Sequence, residues 1–121
     1  MANTFKVVTF AAEPNSAGTP YVVYTAGSGV TAVVLGLILT NINTAQVTAE
    51  VELVSDTGSR GGSNDVTNGT AFLAKAIPIP VGSSVELLSG NKVVLEATDQ
   101  IRIDCSVADK LSGALSVMEI T

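Results

Sequence analysis

In Val47-Thr48-Ala49-Glu50-Val51-Glu52-Leu53 every odd position is apolar and every even position is polar. Successive side chains of a strand point to opposite sides, so this pattern makes one dry face and one wet face; on a helix the same residues would be scattered round the axis. Gln100-Ile101-Arg102-Ile103-Asp104-Cys105 repeats the pattern, with Ile101, Ile103 and Cys105 turned inward and Gln100, Arg102 and Asp104 outward. Strand-type composition, rich in Val, Ile and Thr, recurs at 5–10, 21–25, 31–41, 70–77, 84–88, 92–96 and 114–120, separated by clusters of Gly, Pro, Asn and Ser. Parallel strands would need crossover helices, for which the chain has no apolar three-four spacing to spare. The expected fold is therefore all-β: an antiparallel β-sandwich, jelly-roll-like, with roughly eight strands.

Residues 1–121 are expected to form a single domain. At 121 residues and 46% hydrophobic content the chain can bury about two-thirds of its surface, enough for one core without disulfides or metals. The expected inner layer includes Val33, Leu35, Leu37, Val51, Leu53, Leu95, Ile101 and Ile103. Pro78 and Pro80 cannot donate to a sheet ladder, which places 77–81 at a sheet edge or in a crossover. Turns at 81–84 and 89–91 suggest a hairpin between 85–88 and 93–95. Ala108-Asp109-Lys110-Leu111-Ser112-Gly113 reads as a loop ending at Gly113, and the Gly- and Ser-rich stretch 55–69 as a flexible polar surface loop.

Chemistry is thinly represented. There is no His, no Trp and one Cys, so the groups that carry most acid–base and metal chemistry are nearly missing, and no catalytic, cofactor-binding or metal-binding residue is expected. Glu50 and Glu52 share a strand face about 7 Å apart, which any exposed strand with two acids would produce. Asp56, Asn64 and Asp65 lack the ligand spacing of a calcium loop, 58–62 is followed by no Gly-Lys-Ser/Thr, and no Gly-x-Ser-x-Gly elbow occurs. Asn68-Gly69-Thr70 matches a glycosylation sequon but reads better as the turn that launches a strand. Cys105 is expected to be a buried free thiol. Six basic against eleven acidic residues argue against nucleic acid, and the longest apolar run is too short to span a membrane as a helix. The N-terminus lacks the pattern of a secretory signal, so synthesis in the cytoplasm is expected.

One segment strains the idea of a monomer. Across Val33-Val34-Leu35-Gly36-Leu37-Ile38-Leu39 both faces are apolar, and 93–95 and 115–120 behave alike. Val34, Ile38, Val94, Met118 and Ile120 are the expected outward set, covered by further copies in a homo-oligomer, with a trimer favoured. A second candidate surface comprises Tyr21 and Tyr24, read as straddling the two faces of their strand, together with Asp56, Arg60, Asn64, Asp65 and Asn68. Such a surface would suit a carbohydrate- or receptor-binding module, the alternative reading, with a glycan possible but not favoured.

The order of segments Tyr21-Val22-Val23-Tyr24-Thr25-Ala26-Gly27, then Thr31-Ala32-Val33-Val34-Leu35-Gly36-Leu37-Ile38-Leu39-Thr40-Asn41, then Ala71-Phe72-Leu73-Ala74-Lys75-Ala76-Ile77-Pro78-Ile79-Pro80-Val81-Gly82-Ser83-Ser84, resembles small virion structural proteins of tailed bacteriophages. The resemblance continues through Gly90-Asn91-Lys92-Val93-Val94-Leu95-Glu96-Ala97-Thr98-Asp99-Gln100-Ile101-Arg102-Ile103 and on to Val117-Met118-Glu119-Ile120. It implies a non-enzymatic sandwich subunit of the virion, attached to the capsid exterior or the head-to-tail region, made in the host cytoplasm and contacting other virion proteins.

Overall fold

The computed structural model describes residues 2–55, 69–88, 90 and 92–121. Nine strands and no helix are found among them: β1 (Asn3–Glu13), β2 (Tyr21–Thr25), β3 (Thr31–Asn41), β4 (Val47–Ser55), β5 (Gly69–Ile79), β6 (Ser84–Leu87), β7 (Val93–Leu95), β8 (Gln100–Cys105) and β9 (Leu111–Ile120). They form two antiparallel sheets. Sheet A has the order β1-β9-β3-β6 with β7 also on β3, and sheet B the order β2-β8-β4-β5.

The expected hairpin between the sixth and seventh strands does not form. β6 pairs with β3 from Leu37 to Thr40 and β7 pairs with β3 from Ala32 to Val34, so the two lie end to end along one neighbour. Counted as one interrupted strand, they reduce the topology to eight strands whose chain path crosses repeatedly from one sheet to the other, with β4 and β5 the exception as sheet neighbours. That is the two-sheet arrangement of a jelly roll.

The core lies between the sheets. Leu37, Leu39, Leu111, Leu115 and Val117 of sheet A meet Val47, Val51, Ile101 and Ile103 of sheet B, all fully buried or nearly so. Burying such a side chain contributes about 1.5–3 kcal/mol, which is why the alternating strands hold this register. Cys105 is buried beside them as a free thiol. The folded chain exposes 6229 Å², against roughly 18,000 Å² for an unfolded chain of this mass.

Two bulges alter which side chains face inward. Pairing of β3 with β9 slips between Val34 and Gly36, so Ala32 and Val34 point into the core before the slip and Leu37 and Leu39 after it. An extra residue in one strand breaks the two-residue alternation once. Val33 and Leu35, expected in the inner layer, are therefore only half-buried, and Val34, expected outside, is wholly enclosed. In β2 a slip between Val22 and Tyr24 sets Tyr21 opposite Ile103 and Tyr24 opposite Ile101. Both tyrosines consequently lean on the core side rather than straddling the strand.

Gly113 does not end a loop but lies inside β9, opposite Phe10 of β1 and Leu39 of β3. Pro78 pairs with Thr48 within β5, an edge strand that carries two further irregularities and a left-handed Ala76. Asn41 joins the sheets at one end: its Nδ2 donates to the carbonyls of Ile79 (2.9 Å) and Ala45 (3.0 Å), and its Oδ1 accepts from the Asn43 amide.

Candidate interaction face

The outer faces of the two sheets differ in chemistry. On sheet B, Lys75 Nζ lies 2.9 Å from Glu50 Oε1, Arg102 lies 3.1 Å from Glu52, and Lys75 sits 4.2 Å from the centre of the Phe72 ring. Each member of the Glu50 and Glu52 pair thus has its own cation, the Glu50 pair at the surface and Glu52 buried beneath Arg102. Asp104 accepts from the amides of Gly18 and Cys105, so the polar depression of about 200 Å³ beside it is lined by a carboxylate already engaged. Among the described residues no three Cys, Asp or Glu side chains converge on a metal position.

Sheet A is different. Its outward positions run Phe5, Val7 and Thr9 on β1; Ala114, Ser116, Met118 and Ile120 on β9; and Val33 and Ile38 on β3, with Val94 on β7. Directly paired residues share a face, so the registers Phe5 with Met118, Met118 with Val33 and Val33 with Val94 make one apolar row across four strands. Phe5 is 71% exposed, Val7 64%, Val94 56% and Ile38 44%. Among the described residues, Glu86 is the one charged residue at the outward strand positions from β1 to β6. A scattered exposed Leu or Val is ordinary, whereas here the exposed apolar side chains are contiguous on one sheet face.

Of the outward set read from the sequence, Ile38, Val94, Met118 and Ile120 share this face, whereas Val34 belongs to the core. Phe5, Val7 and Leu35 were not among the candidates. In β1 both alternating sets hold a Phe and a Val, Phe5 with Val7 and Val8 with Phe10, so the pattern alone does not orient the strand. Leu35 is turned outward by the bulge.

The second candidate surface does not assemble. Tyr21 packs against Phe10, with ring centroids 5.8 Å apart. The Tyr24 hydroxyl donates to Glu119 Oε2, while Lys6 Nζ lies 2.9 Å from Glu119 Oε1. This trio ties β1 and β9 of sheet A to β2 of sheet B. Burial, then the bond to the Glu119 carboxylate and its charge, raise the Tyr24 pKa well above the phenol range; the Tyr24 bond, then Lys6, lower that of Glu119. Asp56, Arg60, Asn64, Asp65 and Asn68 lie outside the described residues.

No helix among the described residues is long and apolar enough to cross a membrane. Comparison with protein-family models and with curated proteins returns no match for this chain.

Proposed function

We propose that this chain is a non-enzymatic structural subunit of a tailed-phage particle, seated on the capsid exterior or at the head-to-tail junction, where it contacts copies of itself and other virion proteins. The observation that carries the reading is the apolar outer face of sheet A on a jelly-roll subunit. A protein acting alone in water has no use for such a face, whereas a subunit in an assembly buries it. The two-sheet jelly roll is widely used in viral shells, though it also serves lectins and cupins, so the fold supports the reading only together with the face and the segment resemblance.

A glycan-binding module is less well supported, because Tyr21 and Tyr24, its aromatic contacts, lean on the core. Mass spectrometry of purified phage particles tests the proposal. The chain should be recovered at a fixed ratio to the major shell protein and remain after high-salt washing; its absence from the particles overturns the reading.

A further inference from the structure

We infer that sheet A closes face to face on a second copy of this chain, in a two-fold dimer where Phe5 of each copy enters a hollow on the other. The inference deepens the structural role proposed above and depends on it only for its place in the particle. Three observations carry it.

The first is shape. On either side of Leu35 the outer face of sheet A carries a depression, each of about 360 Å³. One is walled by Leu35, Ile38 and Glu86 and floored by the small residues Gly36, Ala114 and Ser116. Phe5, the most exposed large apolar side chain among the described residues, stands at the other. A projection and a hollow on the same face are what a self-complementary interface requires, because a two-fold axis exchanges them. Phe5 lies opposite Met118, and the hollow surrounds Ala114, so Ser116 of the intervening strand falls about midway and close to the axis.

The second is size. β1, β3 and β9, of 11, 11 and 10 residues, with the four of β6 and three of β7, give a face of about 600 Å² at about 4.8 Å between strands and about 3.3 Å per residue. A standard stable interface takes about 800 Å² from each partner. Flat sheet faces also pack on one another readily at about 10 Å, the spacing already used inside the sandwich.

The third is charge. The chain carries a net charge of -5. Two copies meeting through sheet B would have to bury the Glu50–Lys75 and Glu52–Arg102 ion pairs and Asp104, whereas sheet A presents only Glu86, beside the hollow, at its described outward strand positions. The desolvation that burying those ion pairs would require therefore directs self-association to sheet A. An isologous contact stops at two copies, in place of the trimer favoured from sequence.

Sedimentation equilibrium on the purified full chain, with circular dichroism to confirm folding, tests this. The wild type should sediment at twice its 12.3 kDa mass. Phe5→Glu, which removes the projection, and Ala114→Phe, which fills the hollow, should each remain folded and weaken the dimer by about 30-fold or more, the loss typical of a hot-spot residue. Ser116→Cys should form a disulfide-linked homodimer under mild oxidation, since the native Cys105 is buried. Should Phe5→Glu fail to fold, Ala114→Phe and Ser116→Cys decide. A wild type that stays monomeric at roughly 100 μM, well above the range of specific interfaces, overturns the inference. So do a trimer, a dimer indifferent to both face substitutions, or a dimer that Ser116→Cys fails to cross-link. The particle measurement is separate, so a chain that dimerises but is missing from particles refutes the role and leaves the dimer standing.

Discussion

Replacing Gly113 by Ala adds one methyl group at the most crowded point of sheet A. An ideal Cβ there would meet the Ile38 carbonyl oxygen of β3 and lie 2.5 Å from Phe10 Cζ and 3.0 Å from Phe10 Cε1. Carbon atoms prefer about 3.5–4.0 Å, so neither neighbour can stay in place. The Phe10 ring can swing away only by giving up part of its buried packing, including the contact with Tyr21; losing a buried Phe altogether costs about 3–5 kcal/mol, and losing half of it about 2 kcal/mol. The carbonyl belongs to the ladder between β3 and β9 and can yield only by distorting it, for about 1 kcal/mol more. Against this, Ala restricts the unfolded chain more than Gly and returns about 0.4–1 kcal/mol. The net expectation is a loss of about 2–3 kcal/mol, or about 10 °C in Tm for a domain of this size. Urea titration followed by circular dichroism measures it, with Phe10→Leu and the double variant closing a cycle. Because a smaller ring-free neighbour relieves one of the two contacts, Gly113→Ala should cost less in the Phe10→Leu background. A Gly113→Ala protein within about 0.5 kcal/mol of wild type, an ordinary surface effect, would refute the reasoning.

Leu37→Ala, which empties a fully buried position where the sheets meet, should cost about 2–5 kcal/mol in the same titration. Asn41→Asp should be similarly damaging, at about 3 kcal/mol, because it replaces the amide that donates to Ile79 and Ala45 with a buried acceptor facing two carbonyls. Glu119 has its pKa lowered from 4.5 in the folded chain, so its contribution is present above that value and lost as pH falls through the lower folded value; Glu119→Gln should flatten this acid limb of the stability curve. Tyr24 has its pKa raised above 10.0, so its contribution is full below pH 10 and lost as pH climbs beyond it, an alkaline limb that Tyr24→Phe should remove from the pH-dependent melts.

The strands with one wet face were the readable ones. In β4 and β8 the alternation assigns Val51, Ile101 and Ile103 inward because polar residues occupy the opposite positions, and the structure places them there. β3 offered no such contrast: with apolar side chains on both faces, nothing in the sequence fixes where a bulge falls, and the slip beside Leu35 moved Val34 into the core and Leu35 out of it. The same ambiguity hid Phe5 and Val7, since β1 is apolar on both sides in its first half. Tyr21 and Tyr24 are three apart and would face opposite ways in a regular strand; the slip between Val22 and Tyr24 returned both to one side. The hairpin of β6 and β7 failed for a different reason. Turn residues at 89–91 predict that the chain leaves a strand, but not that it returns to the same neighbour, β3.

The margins of both sheets limit how copies of this chain can accumulate. β5 carries two slips, a left-handed Ala76 and Pro78; β2 is slipped within five residues; β1 breaks register beyond Phe10; and β6 and β7 divide the remaining border into two short pieces. An uninterrupted border would let strands add to it without limit, the growth mode of fibres. Three of these borders offer only a few residues in register before a break; β1 offers eight, Asn3 to Phe10, but the opposite border of sheet A is divided, so pairing through β1 ends at two copies instead of propagating.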